Sequence, residues 1–350
     1  MTFYAVLILM VLTSSLTSFG QERDKVLRRG NGYGYVHTLS FSPNGDRLLS
    51  ATWDGMIEEW DLFTGKRLRV VDLDDGKRKA KHTVSEIYSM DESRLTNVIS
   101  ISFSQSSVLK GGLLGDRVER TALIDGESLR IKHVLMQTRS DMCFSPDGKT
   151  LVTVGPERIA RIWSVESGNE LHHFSIENVG KPIIYSQGTK LVVVSRIGWA
   201  SEGPMIRVYD LKSGQIVKNI PDRFAQITGI AISPDDEKIA IGGANGDLFS
   251  LKVWDLSKLN KSEPSNLLSE DSKLAYNIAF SHDGQWLATS GLNGCCPTIA
   301  IRSLSDNKIV EEFKISDKIR SLAFAPKGNI LAYGTDGGDI FLRNLKNEPQ

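Results

Sequence analysis

Cysteine is scarce: 3 in 350 residues, too few for a disulfide framework. Cys143 stands inside an apolar stretch before Phe144 and reads as a small buried hydrophobe. Cys295 and Cys296 are adjacent in what reads as a loop, which leaves two states open, a vicinal disulfide or two free thiols. Charge of one sign is lacking too. Lys plus Arg and Asp plus Glu number 42 each, so no global field draws nucleic acid or an anionic membrane, and nucleic-acid binding is disfavoured. The 6 histidines are scattered, and no zinc-ligand spacing, nucleophile elbow or phosphate loop is present, so no metal, cofactor or catalytic residue is expected. Asp72-Leu73-Asp74-Asp75-Gly76 imitates a calcium loop, but its glycine falls one place early and Thr83 stands where a bidentate Glu is required.

Long hydrophobic runs are confined to Phe3 through Leu12, followed by Ser18-Phe19-Gly20 and then charged residues. The run is too short to span a bilayer and suits a secretory signal cut after Gly20, with residues 21–350 as a single mature domain. The n-region has no Lys or Arg, and the alternative is an uncleaved membrane anchor. The expected location is secreted or periplasmic, with no membrane insertion of the mature chain.

What is there is a repeat. An apolar strand closes at Phe41, Tyr88, Phe144, Tyr185, Ile232, Phe280 and Phe324, at spacings of 47, 56, 41, 47, 48 and 44 residues. Turns follow, of the kind Pro43-Asn44-Gly45, Pro146-Asp147-Gly148 and Pro326-Lys327-Gly328, with Met90-Asp91-Glu92 as a weaker form. Proline presets φ and Asn, Asp and Gly tolerate the second half of such turns. A second strand starts at Leu48, Leu95, Leu151, Leu191, Ile239, Leu287 or Leu331, and a third ends at Trp60-Asp61, Ile124-Asp125, Trp163-Ser164, Tyr209-Asp210, Trp254-Asp255, Arg302-Ser303 or Arg343-Asn344. With a fourth apolar piece in each copy, the expectation is an all-β, seven-bladed β-propeller of four-stranded antiparallel blades.

Phe41-Ser42-Pro43-Asn44-Gly45, Trp60-Asp61, Trp163-Ser164 and Trp254-Asp255 resemble the WD-repeat family over about residues 25 to 345, as a secreted, bacterial-type member. The resemblance implies a binding platform rather than an enzyme, with a protein or peptide partner and a monomeric chain. The family's opening Gly-His pair is missing, so its buried hydrogen-bond tetrad is at best partial, with Thr52, Asp54 and Trp60 as remnants in blade 1. Trp163, Tyr209 and Trp254 hold the corresponding structural slot elsewhere. The competing class is a propeller-fold hydrolase or lyase with its site at the channel mouth.

Blade 7 lacks a fourth strand after Leu345, and Val26-Leu27-Arg28-Arg29 repeats the order of Ile309-Val310-Glu311-Glu312. Residues 25–29 are therefore expected to pair with 340–345 and close the ring, burying Val26 and Leu27. From the start of strand two to the Trp slot the lengths are 12, 29, 12, 18, 15, 15 and 12 residues, so growth is concentrated in the loops between strands two and three, which emerge on one face. That face is expected to bind, through Lys110 and Arg117 of blade 2, Arg196, Trp199 and Glu202 of blade 4, Asn245 of blade 5, Asn293 of blade 6, and Lys77, Arg78 and Lys79 between blades 1 and 2. Trp199 is the expected anchor, as a loop tryptophan outside the strand pattern; the alternative is a side chain folded back on its own blade.

Overall fold

The computed structural model describes residues 24–345 apart from 29, 31–33, 74–82, 94–95, 109–113, 137–140, 156, 177–182, 187–189, 195–204, 222–225, 236, 246–247, 257–265, 270–275 and 294–295. The chain enters on β1 (Asp24–Arg28). The first sheet follows as β2 (Val36–Phe41), β3 (Arg47–Thr52), β4 (Met56–Asp61) and β5 (Arg67–Asp72). The second is β6 (Thr83–Glu92), β7 (Val98–Val108), β8 (Leu114–Asp125) and β9 (Ile131–Met136); the third is β10 (Asp141–Phe144), β11 (Thr150–Val154), β12 (Ile159–Ser164) and β13 (Glu170–Ser175). The fourth holds β14 (Ile183–Ser186), β15 (Lys190–Val194), β16 (Met205–Asp210) and β17 (Ile216–Pro221). The fifth holds β18 (Gln226–Ile232), β19 (Lys238–Asn245), β20 (Leu248–Asp255) and β21 (Asn266–Ser269). The sixth is β22 (Asn277–Phe280), β23 (Trp286–Asn293), β24 (Cys296–Ser303) and β25 (Ile309–Lys314). The last sheet is β26 (Ile319–Phe324), β27 (Ile330–Thr335) and β28 (Ile340–Asn344), with β1 as its fourth strand. The fold is thus an all-β propeller of four-stranded antiparallel blades.

One register row runs through all the sheets. Leu48 faces Trp60, Ile99 faces Ile124, Leu151 faces Trp163, Leu191 faces Tyr209, Ile239 faces Trp254, Leu287 faces Arg302 and Leu331 faces Arg343. Neither face of a blade can stay in water, and the apolar clusters lie between consecutive sheets. Leu49, Ala51 and Ile57 of the first sheet pack on Ile87, Ile99 and Ile124 of the second, and Leu123 and Leu135 of the second on Leu151 and Trp163 of the third. The series passes through the remaining sheets and ends where Ala332, Ile340 and Leu342 of the last sheet, with Leu27 of β1, meet Val36, Leu48 and Trp60 of the first. Each such fully buried aliphatic side chain stabilises by about 1.5–3 kcal/mol.

The turns leading from first to second strand are held by their serine. Ser145 Oγ donates to Asp147 Oδ1 at 2.6 Å and accepts the Thr150 amide at 3.0 Å, and Ser233 with Asp235 and Lys238 and Ser281 with Asp283 and Trp286 repeat the arrangement. This keeps a buried hydroxyl satisfied. Gly45, Gly148, Gly284 and Gly328 take the positive φ that the turn requires, 68–77°.

Blade 2 corrects the expected register. Its first strand does not close at Tyr88 but runs on to Glu92, which faces Ile99, and β7 begins at Val98 rather than Leu95. Met90-Asp91-Glu92 contains neither proline nor glycine to stop a strand. Ser93, 1% exposed, takes the role of the turn serine and is bonded by Thr96. The growth in blade 2 is likewise not a loop: β7 and β8 pair from Val98–Asp125 out to Val108–Leu114, so most of Ser104 to Arg117 extends a hairpin. Asn245 and Asn293 also lie in strands, paired with Leu248 and Cys296, because each is followed by a two-residue connection that lets the ladder continue to the turn.

β1 lies antiparallel to β28, with Asp24 opposite Arg343, Lys25 opposite Leu342 and Val26 opposite Phe341. Leu27 is buried at 8%, but Val26, expected to be buried with it, is 37% exposed. Alternate residues of a strand point to opposite faces, and only Leu27 enters the cluster shared with the first sheet.

Candidate functional site

The connections from second to third strand and those from one sheet to the next leave on the same face, as strand alternation in a four-stranded meander dictates. On that face the first strands of the first, fifth, sixth and last sheets border a cavity of about 690 Å³, lined among others by Tyr35, His37, Thr228, Tyr276, Asn277, Lys318 and Arg320. This is the mouth of the central channel, and its wall crosses the line where the last sheet meets the first.

Tyr35 is the centre of this wall. Its ring stacks on Trp53, centroids 5.8 Å apart at 25°, lies 6.0 Å from His37, and carries the Arg320 guanidinium 4.6 Å over its face. Such cation–π contacts are worth about 0.5–2 kcal/mol. Arg320 Nε donates to Asp336 Oδ1 at 2.5 Å, Trp53 N donates to the Tyr35 carbonyl at 3.0 Å, and Ser321 Oγ donates to the Val36 carbonyl at 3.1 Å. Asn277 Nδ2 bridges to Ser290 Oγ and to the Ile319 carbonyl. The rim thus presents aromatic faces, amide and hydroxyl groups and two basic side chains. Among the described residues no group of three His, Cys, Asp or Glu side chains converges to hold a metal ion.

Of the residues expected on the binding face, Lys77, Arg78, Lys79, Lys110, Arg196, Trp199 and Glu202 lie outside the described residues. Arg117, Asn245 and Asn293 lie on the edges of hairpins that reach toward this face. The expected signal segment 1–20 is likewise outside the described residues. Tyr35 and Trp53 are additions from the tertiary structure. Trp53 hides in a short connection of ordinary length, and the one signal pointing to it is the Gly-Tyr-Gly-Tyr run at 32–35 just ahead of the first blade.

The structural slot departs from expectation in its partners. Trp60 Nε1 donates to Ser50 Oγ at 3.1 Å rather than to Thr52, whose hydroxyl donates to Asp54 Oδ1 at 2.6 Å. The hydroxyl has to sit two residues beyond the slot's strand partner, which is Ser50. Trp163 repeats this with Thr153 at 2.9 Å. In blade 5 Ile241 takes that place, and Trp254 Nε1 is buried without an acceptor. Tyr209 is 2% exposed and packs on Phe174. Cys296 sits in a strand rather than a loop, and Cys143 is only half-buried, since β10 is a first strand at the channel side.

Three segments, 24–61, 133–164 and 266–296, match the family model described as WD domain, G-beta repeat. Each begins on an outer strand of one sheet and reaches the third strand of the next, so the sequence repeat is offset by one strand from the blade. The chain is similar to the guanine nucleotide-binding protein subunit beta-like protein of Encephalitozoon cuniculi, 26% identical over 229 residues, 58% of this chain and 64% of that one. It is 25% identical over 266 residues to WD repeat-containing protein 82 of Drosophila melanogaster, 74% of this chain and 75% of the relative, and 27% identical over 162 residues to target of rapamycin complex subunit LST8 of Bos taurus, 44% and 47%. The chain thus spans less than two thirds of the Encephalitozoon protein and about half of the bovine one. The fold is thus a β-propeller of four-stranded blades, and three of its segments are similar to the WD-repeat model.

Proposed function

We propose that the protein is an exported, non-enzymatic interaction platform: a seven-bladed ring latched by β1 that binds a protein or peptide partner on the face carrying the strand two–three connections. The observation that carries this reading is that the aromatic and basic channel mouth opens on the same face as the lengthened β7–β8 hairpin of blade 2. Its relatives of the WD-repeat class support a scaffold role. In this reading the contacts are made by Tyr35 and Lys318 of the mouth, with Trp53 stacked on Tyr35, and by the expected anchor Trp199, and the net charge of zero leaves nucleic acid an unfavoured partner. The mature chain acts as a monomer in a secreted or periplasmic setting.

The test is capture of partners by residues 21–350 followed by mass spectrometry, repeated with Trp199→Ala, Lys318→Glu and a variant altered at Lys258 to Pro264, a segment between β20 and β21 that is expected on the other face. The first two lose the partner and the third keeps it. Loss confined to the third variant places binding on the wrong face.

A further inference from the structure

The mouth and the N-terminal strand are joined by a continuous set of contacts through one turn. Residues 336–339 link β27 to β28 on the binding face, and this turn grips the chain leaving β1: Gly30 N donates to Asp339 Oδ1 at 2.7 Å and Arg28 Nη1 to the Gly338 carbonyl at 3.3 Å. Backbone passes directly over backbone here, since a Cβ on Gly30 would overlap the Gly337 carbonyl. The same turn holds the mouth through Asp336, which accepts from Arg320 and whose amide donates to the Lys318 carbonyl at 2.8 Å. Arg320 lies on Tyr35, and the Tyr35 carbonyl accepts the Trp53 amide. Tyr35 itself stands on the segment that leads from β1 into β2. β1 is fastened at its other end by Asp24 to Arg343 and Tyr333 and by Lys25 Nζ to the Leu62 carbonyl at 3.1 Å, and at the turn end also by Arg28 to Glu58 at 3.2 Å.

We infer that seating of β1 and formation of the channel mouth are energetically coupled, so that Arg28 and Asp339 are positioning residues for the binding site and a partner engaging Tyr35 and Arg320 tightens the ring. Coupling is reciprocal: whatever the clasp adds to partner affinity, the partner adds to the clasp. The coupling rests on the reading of the mouth as the binding site only in its consequence for affinity. Its structural half is measurable without any partner.

The experiment is hydrogen exchange of the β1 and β28 amides in residues 21–350, comparing the wild type with Tyr35→Ala, Arg320→Gln and Tyr276→Ala. Tyr276 lines the same cavity from the sixth sheet, away from the turn. The first two variants speed exchange of the Lys25 and Leu342 amides by roughly five- to fiftyfold, the range of ordinary site-to-site coupling, and Tyr276→Ala leaves it unchanged. Conversely, Asp339→Ala, which removes the acceptor of the Gly30 amide, alters the near-ultraviolet dichroism of the Tyr35–Trp53 stack while the far-ultraviolet spectrum stays the same. Unchanged exchange in both seam variants, or equal acceleration by Tyr276→Ala, overturns the coupling. If exchange responds as described but partner capture is indifferent to Tyr35→Ala, the coupling stands and the binding site lies elsewhere on the face.

Discussion

Arg343 Nη1 donates to Asp24 Oδ1 at 3.0 Å, joining side chains 6% and 2% exposed that are 319 residues apart in the chain. Arg343 occupies the slot that tryptophan fills in the first, third and fifth sheets. It also bonds Glu311 at 2.8 Å and lies 3.6 Å over the Phe313 ring, while Asp24 accepts a further bond from Tyr333 Oη at 2.7 Å. The pair therefore ties β1, the last sheet and the sixth sheet at one point.

Removing one member of this buried pair strands the other. Asp24→Ala is expected to cost about 3 kcal/mol, the low end for a broken buried pair because Arg343 keeps Glu311. Urea unfolding of residues 21–350 measures it. A loss under about 0.5 kcal/mol would mean that the clasp contributes nothing to the global transition.

The three slot tryptophans are not equivalent. Trp60→Phe and Trp163→Phe each lose a buried indole hydrogen bond, whereas Trp254→Phe loses none and removes an orphan donor. The first two should therefore cost about 1 kcal/mol more than the third beyond the common loss of area. Equal losses in denaturant would count against the bonding assigned to Ser50 and Thr153.

Acid should loosen the turns between third and fourth strands. The carboxylates of Asp61, Asp125 and Asp210 are held below their usual range, chiefly by the backbone amides of Thr64, Ser128 and Ser213 and then by the hydroxyls of the same residues. A pKa depressed in the folded state gives stability that is present above the unfolded value, near 4, and is lost as pH falls through the folded value. Melting temperature is expected to be flat in this respect from pH 7 to about 5 and to fall below about 4. Replacing the three with Asn keeps the acceptors and should flatten that acid limb. An unchanged limb would assign acid sensitivity to other carboxylates.

Two glycines separate crowding from backbone conformation. Gly30→Ala meets the Gly337 carbonyl and should cost at least about 2 kcal/mol, an overpacking against main chain that cannot rotate away. Gly284→Ala has open space around it but a φ of +69°, and should cost about 1–2 kcal/mol from conformation alone. Reversal of that order in thermal or urea unfolding would contradict the close passage of residues 30 and 337.

Much of the scaffold was readable because it depends on local chemistry. Ser-Pro-Asp-Gly-type turns build their own hydrogen bonds within five residues, as Ser145 with Asp147 and Thr150 does. The slot residues from Trp60 to Arg343 could be aligned by apolar alternation alone. The end of the first strand of blade 2 is not legible in the sequence, because termination there depends on Ser93 and Thr96, which carry no proline or glycine signal. The candidate site was legible only as a face. Trp199 stood out as a tryptophan outside the strand pattern, whereas Trp53 and Tyr35 acquire meaning only from each other and from Arg320.

The sequence by itself determined the strand-and-turn period and which side of the blades receives the lengthened connections, since both follow from residue spacing and strand alternation. The tertiary structure decided which distant residues meet: Asp24 with Arg343, Arg28 with Glu58, Arg320 with Tyr35. The first and the last of these contacts join the beginning of the described chain to its end. The pairing of β1 with β28 was legible in the way Val26-Leu27 repeats Ile309-Val310, but which side chains meet depends on how the sheets pack face to face around the channel.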